Sequence, residues 1–347
     1  MPTDRDLAFS KEFLLACKGY DPTFIDGGTA LGLNNILPAG KKADLPNVEK
    51  NTQGVLNYTG MSVLYNAKRK VPFVAAYNIN GADKANNAPR PDFHIDPRID
   101  AKLQLDDEFY DLRTDITEFE IGHMASNNEM GRGEEGVIRA CQTFHFTNSV
   151  PQAERLNTGL WRTLESYIIR EAATVTNNKR ISVFTGPVLT TRDPGYKMLP
   201  SFKIPLLFYK VIAFASAGKI FSTAFLMSHE KKLIEDDMLA TPPPVKRTRG
   251  REPEIGFFND FPYRKVFQVN IPFLEKQTGL RFSWSGVTGI IVPEGKKLIE
   301  MIKGVGNTAE AKAAAKRGGT LRGGSLVQPT DEDLSSDKFL LNITLPA

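Results

Sequence analysis

The sequence predicts an α+β protein: a central, mostly antiparallel sheet with helices packed on it. Three observations carry this expectation. Two β-rich runs, Tyr58 to Tyr65 and Val71 to Ile79, are separated only by Asn66-Ala-Lys-Arg-Lys70, which reads as a hairpin turn. Two longer apolar runs, Ile204 to Ser216 and Lys219 to Ser228, meet at Ala217-Gly218, a tight two-residue hairpin. Between the two pairs, Leu160, Leu164, Ile168 and Ala172 recur every four positions with Leu156, Trp161 and Val175 beside them, the spacing of a helix with one buried face.

The remaining elements follow in chain order. Leu7, Phe9, Phe13, Leu14 and Cys17 predict a helix over residues 5 to 18, stopped by Gly19. Residues 26 to 54 and 80 to 91 are polar and turn-rich and predict loops, as does the glycine-rich stretch Asn127 to Gly136. Gln142 to Thr147 predicts a short strand, a helix starts at about Asn157, and Ile181 to Val188 is a further strand. Thr241 to Arg251 is a Pro- and Arg-rich loop. Its Lys246 to Arg251 tract either tracks a phosphate backbone or is simply solvated. Val266 to Val269 predicts a strand and Ile271 to Gln277 a helix ended by Thr278-Gly279. Beyond it, Val292 to Val305 reads as strand and helix, Thr308 to Gly324 as a short helix fraying into a linker, and Phe339 to Leu345 as a strand. The expected organisation is an N-terminal helix and entry loop over 1–54, a main domain over 55–285 and a C-terminal extension over 286–347.

Composition narrows the function. The 347 residues are 41% hydrophobic and 24% charged, an ordinary globular balance. No run approaches 18 apolar residues, so no membrane span is expected. The net charge of +4 permits nucleic-acid binding without arguing for it. Cys17 and Cys141 read as a reduced pair of small apolar side chains rather than a disulfide. Four histidines and no Cys-x-x-Cys make a multi-histidine zinc site hard to build. Met1-Pro-Thr-Asp-Arg-Asp-Leu lacks the apolar core of a signal peptide, so a cytoplasmic protein or a mature secreted form is expected.

The chemistry concentrates in a few residues. Within Phe119-Glu-Ile-Gly-His-Met124, His123 is suited to accept a proton from water near neutral pH, and Gly122 lets the backbone approach closely. A lone histidine beside glycine is also common as a structural or surface residue. Asn157 and Glu165 lie eight residues apart, ~80° around a helix of ~100° per residue, and so share a face two turns apart. Asn157 reads as a helix N-cap or as a ligand for a hard cation; the two are compatible. Glu165 reads as a solvated helix acid or as a partner of cation-bound water. Asn148 and Gln152 either hydrogen-bond to the site or build the turn around Pro151. His145 and His229 lie on apolar stretches and read as core or surface residues.

Three segments in order resemble the DNA/RNA non-specific endonuclease family of ββα-metal (His-Me finger) nucleases, which includes endonuclease G. They are Glu120-Ile-Gly-His123, Thr143-Phe-His-Phe-Thr-Asn148-Ser-Val-Pro151-Gln152, and Leu156-Asn157-Thr-Gly-Leu-Trp161-Arg-Thr-Leu-Glu165. Arg90-Pro-Asp-Phe93-His-Ile-Asp96-Pro97-Arg98-Ile99 is similar to a further family segment. The likeness runs from about Gly19 to about Phe282. It implies a Mg²⁺-dependent endonuclease, with Mn²⁺ as a substitute, acting on DNA and RNA, with relatives often homodimeric. By the same resemblance His123 is the general base and Asn157 the one direct metal ligand. Glu165 holds metal-bound waters, Arg90 lies close to the scissile phosphate, and Glu120 and Asn148 are further site residues. Glu120-Ile121 stands where the family has Asp-Arg, and isoleucine cannot contact phosphate. Arg90, then Arg139 or Arg162, are the candidates to supply the charge; otherwise the chain is a catalytically degenerate nucleic-acid-binding protein. A small-molecule phosphodiesterase is a third alternative.

Overall fold

Two hydroxyls set the first two helices. Thr3 and Asp6 exchange hydrogen bonds in a capping box that opens α1 (Asp4–Phe9). The Ser10 hydroxyl then accepts the Phe13 N–H and opens α2 (Lys11–Ala16). One helix was expected here. Ser10 breaks it, because its side chain satisfies a helix N-terminus better than a helix interior. The computed structural model describes residues 3–25, 30–51, 53–154, 156, 161–172, 179–240 and 266–291. After the four-residue α3 (Ala39–Lys42), the chain enters a sheet.

Strands β1 (Val55–Tyr58), β2 (Met61–Asn66) and β3 (Val71–Asn80) form an antiparallel meander. Helix α4 (Asp107–Tyr110), strand β4 (Glu120–His123), helices α5 (Asn127–Met130) and α6 (Gly136–Gln142), strand β5 (Ser149–Gln152) and helix α7 (Arg162–Ala172) follow. The chain returns to the sheet as β6 (Arg180–Val188), β7 (Leu207–Ser216) and β8 (Lys219–Ser228). Helix α8 (Glu230–Glu235), β9 (Phe267–Val269), α9 (Ile271–Thr278) and β10 (Val287–Gly289) complete the described chain. The order is β1-β2-β3-β6-β7-β8, with β9 and β10 both on the outer edge of β8. Every pairing is antiparallel except β8–β10. The sheet therefore takes in Val287–Gly289, just beyond the expected 285 boundary.

Both expected hairpins are present. Ala217 and Gly218 have φ of 49° and 73°, the left-handed pair that matches the twist of a two-residue hairpin. Both faces of the sheet are covered. Phe208, Ile212 and Phe214 of β7 share a core with Leu164 and Ile168 of α7. Tyr209, Val211 and Ala213 share another with Leu274 and Phe282. This is why β6, β7 and β8 read as near-continuous apolar runs without clear alternation.

The strand expected over Gln142 to Thr147 is absent. Gln142 ends α6, a single 3-10 turn spans Phe146–Asn148, and β5 starts at Ser149. Local bonds replace those of a ladder: the Thr143 hydroxyl donates to Ala140 O at 2.6 Å, and His145 Nδ1 bonds Gln142 O at 2.9 Å. Asn127 to Gly136 is not all loop either, because Ser126 and Glu129 form a capping box that starts α5. The regular α7 is described from Arg162; the expected helix start at Asn157, the Lys246 to Arg251 tract and everything after Ile291 lie outside the described residues. Cys17 and Cys141 are both free thiols. Among the described residues no helix is long and apolar enough to cross a membrane.

Candidate active site

Strands β4 and β5 pair antiparallel, with Gly122 opposite Val150 and His123 opposite Ser149, and α7 follows them. This ββα element packs on the sheet and carries the candidate chemistry. Gly122 is required by the pairing: a Cβ there would lie 2.2 Å from Gln152 Oε1. Asn148 braces the turn after His123. Its Oδ1 accepts the Ala125 N–H at 3.0 Å, and its Nδ2 donates to Ala125 O and Thr143 O, both at 2.9 Å.

One cavity of about 400 Å³ is lined by Arg90, Phe93, Glu120, Ile121, His123, Phe144, Arg162 and Glu165, with Ser126, Asn127, Asn128 and Trp161 completing its wall. Four of the expected site residues, Arg90, Glu120, His123 and Glu165, thus converge although they span 76 positions of sequence. Asn148 is not on the wall; it acts on the backbone behind it. Asn157 lies outside the described residues. Arg139 points elsewhere and donates to Asn78 O at 3.0 Å. Gln152 is fully buried, and among the described residues neither of its amide atoms has a hydrogen-bond partner. A cavity of about 430 Å³ near Lys68, Lys70 and Lys203 contains no histidine.

Of the four histidines, only His123 lines the site. The His123 ring packs against Phe93 and Phe144, with centroids at 4.8 and 4.7 Å. Its Nε2 is buried with no hydrogen-bond partner. Burial first, and then the charge of Arg90, lower its pKa to about 3, so the imidazole is neutral at physiological pH. His229 is structural: the Ala153 N–H donates to its Nδ1, and its Nε2 bonds Pro205 O at 2.7 Å. His145 is fully buried and bonded to Gln142 O, and the His94 ring packs tilted against Phe9, with centroids 3.9 Å apart.

Arg90 and Arg162 are exposed on the cavity rim, and the Arg90 guanidinium lies 5.9 Å from the Phe144 ring centroid. Ile121 is half-buried against the core. Glu120 is exposed; what burial it has, with Glu154 and Glu118 beside it, raises its carboxyl pKa. Glu165 is only 6% exposed, which removes the reading as a solvated helix acid. Its Oε1 has no hydrogen-bond partner. Burial and the Glu129 carboxylate push its pKa above the usual carboxylate range, against the pull of Lys210, Ser126 and Trp161.

Sequence reasoning missed Glu129 and Lys210, the buried ion pair that stands beside Glu165. Each left a signal. Glu129 closes the Ser126-x-x-Glu129 capping pattern three residues past His123, and Lys210 is the one charge inside the apolar run of β7.

A half-buried histidine with a buried, unpartnered Nε2, carried on a ββα element, lines one cleft with Glu120, Glu165 and two arginines, a set suited to binding and hydrolysing a phosphodiester. Sequence comparison agrees: residues 42–287, more than half of the chain, match the DNA/RNA non-specific endonuclease family, and the chain belongs to it. Among solved structures, a chain in the crystal structure of the EndoG/EndoGI complex, concerned with the mechanism of EndoG inhibition, is similar. It shows 20% identity and a TM-score of 0.47, over 65% of this chain and 84% of that one. No curated protein matches the sequence significantly.

Proposed function

We propose that this chain is a metal-dependent, sugar-non-specific endonuclease that hydrolyses phosphodiester bonds of DNA and RNA, with His123 as the general base. The observation that carries the reading is the shared cavity: His123 and Glu165 both line it, and His123 Nε2 and Glu165 Oε1 are both buried without a hydrogen-bond partner. Buried polar atoms are rarely left unpaired without a task. Two such atoms, one a neutral nitrogen acceptor and one a carboxylate oxygen, suit an attacking water and a hydrated cation.

His123 Nε2 takes a proton from water as the water oxygen attacks phosphorus. The bond to the 3′ oxygen breaks, leaving a 3′ hydroxyl, protonated from solvent, and a 5′ phosphate. Arg90 faces the same cavity and binds the phosphate. The incoming negative charge then offsets Arg90 at His123, which raises the basicity of the imidazole when substrate is present. Glu165 Oε1 would accept from a water of a hydrated Mg²⁺, or of Mn²⁺ in its place, and Asn157 would be the direct ligand. Such an ion, when bound, stabilises charge on the phosphoryl group and on the leaving oxygen. Contacts to phosphate and sugar give little sequence preference.

The test is supercoiled plasmid, RNA and a small nucleotide diester, each incubated with Mg²⁺ or with EDTA. Cutting of plasmid and RNA only with Mg²⁺ supports the reading. Binding without cutting, or turnover of the small diester alone, overturns it.

A further inference from the structure

Strand β7 places Lys210 on the face that carries Phe208 and Ile212, beneath α7, where it is 0% exposed. A buried ammonium is costly unless it is paired and hydrogen-bonded. Here three other elements and the Trp161 ring converge on it. Lys210 Nζ donates to Tyr77 OH of β3 at 2.9 Å and to Glu129 of α5 at 3.2 and 3.3 Å. It lies 5.0 Å from the Trp161 ring centroid. Its approach to Glu165 Oε1 on α7 is longer, 3.7 Å, an ion pair without a hydrogen bond.

The two carboxylates differ in what they have left to give. Glu129 is 1% exposed, and its Oε2 also accepts from Tyr77 OH at 2.7 Å, Ser126 Oγ at 3.0 Å and the Ser126 N–H at 3.3 Å. Both Glu129 oxygens are hydrogen-bonded, Oε2 by four donors, and Lys210 is held on them. Glu165 Oε1 has no hydrogen-bond partner, and Glu165 lines the cavity. One buried lysine against two buried glutamates leaves the cluster one positive charge short, at the glutamate that lines the cleft.

We propose that Glu129 and Lys210 are positioning residues for the active site: Glu129 holds the Lys210 ammonium away from Glu165, so that the Glu165 charge stays available to a divalent cation in the cavity. This rests on the reading of Glu165 given under Proposed function. Charge counting gives the signs. With both glutamates ionised the wild-type cluster carries −1. Glu129→Gln brings it to 0, with Lys210 free to pair with Glu165. Glu129→Gln with Lys210→Met returns it to −1 once a bound cation takes the place of the ammonium in keeping Glu165 ionised, all of it on Glu165.

The experiment is Mn²⁺ binding to the full chain at pH 8 without nucleic acid, by titration calorimetry, with melting temperature recorded for each variant. Glu129→Gln should weaken binding on the order of tenfold or more, since a full charge changes within a poorly screened site. The double variant should recover to within about threefold of wild type, a rescue that a purely structural role for Glu129 does not give. Wild-type binding by Glu129→Gln, or a double variant as weak as the single, overturns the proposal. If Glu129→Gln does not fold, the double variant, which removes the ion pair as a unit, still decides: weak binding by it overturns the proposal. Glu165→Gln separates the two readings. If it binds Mn²⁺ as wild type does, the role of Glu165 itself fails and the proposal with it; if it binds weakly while Glu129→Gln is unaffected, only the Glu129–Lys210 proposal fails.

Discussion

Arg90 is expected to supply the phosphate charge that Ile121 cannot. Its guanidinium is on the rim of the His123 cavity, close enough to depress the imidazole pKa, while Ile121 is half-buried with its side chain against the core. Removing one positioned donor to a developing anion typically costs roughly 10²–10³ in rate, so Arg90→Ala should cut by about that factor more slowly. Its stability should hardly change. The residue is exposed, and its packing over Phe144 at 5.9 Å is worth about 0.5–1 kcal/mol at such a site. Ile121→Arg alone should not speed the enzyme. It should cost about 1–3 kcal/mol, from lost apolar burial and a guanidinium brought against the core. In the Arg90→Ala background the same arginine should recover part of the lost rate. The assay is single-turnover plasmid cleavage beside urea denaturation for the two single variants and the double. A fast Ile121→Arg enzyme together with a harmless Arg90→Ala refutes the reasoning and turns attention to Arg162, the other arginine of the cavity.

Three further outcomes are expected. Asn148→Ala leaves the Ala125 N–H and two carbonyls without their buried partner and should lower stability by about 2–4 kcal/mol, with cleavage falling as the turn after His123 loosens; an unchanged denaturation midpoint would rule this out. Gly122→Ala should destabilise the β4–β5 pair through the 2.2 Å clash with Gln152, and Gln152→Ala should relieve it; a melting temperature for the double no higher than for Gly122→Ala contradicts the packing account. Burial lowers the His229 pKa to about 4, so between about 6.5 and 4 the unfolded chain binds the extra proton and the folded chain does not. That contribution to stability is therefore present above about pH 6.5 and lost as the pH falls toward 4. His229→Gln should flatten the fall in unfolding free energy between pH 7 and 5 relative to wild type, and equal slopes would argue against it.

Much of the site was legible because its residues fall in short segments that chemistry constrains. The Glu120-to-His123 segment, the Arg90 segment and the Trp161-to-Glu165 stripe all reach one cavity. The hairpins were legible because Ala217-Gly218 and Asn66–Lys70 have few alternatives between apolar runs. What sequence hid was set by side chains bonding to nearby backbone. Ser10 divides a helix that periodicity joins, and the Thr143 and His145 bonds curl a segment whose alternation reads as a strand. The roles of Asn148 and Lys210 depend on partners far away in sequence or on the far side of a turn. No pattern in the chain shows that Lys210 meets Glu129 and Glu165, or that Arg139 turns inward to Asn78.

The central claim is that His123 activates water in this cavity. The most direct measurement is single-turnover plasmid cleavage by His123→Ala in Mg²⁺, with and without added imidazole, alongside plasmid binding and melting temperature. The account predicts a loss on the order of 10²–10⁴-fold, the scale of general-base catalysis, with binding and folding nearly intact and imidazole restoring part of the rate. A folded His123→Ala protein that cuts at the wild-type rate would contradict it.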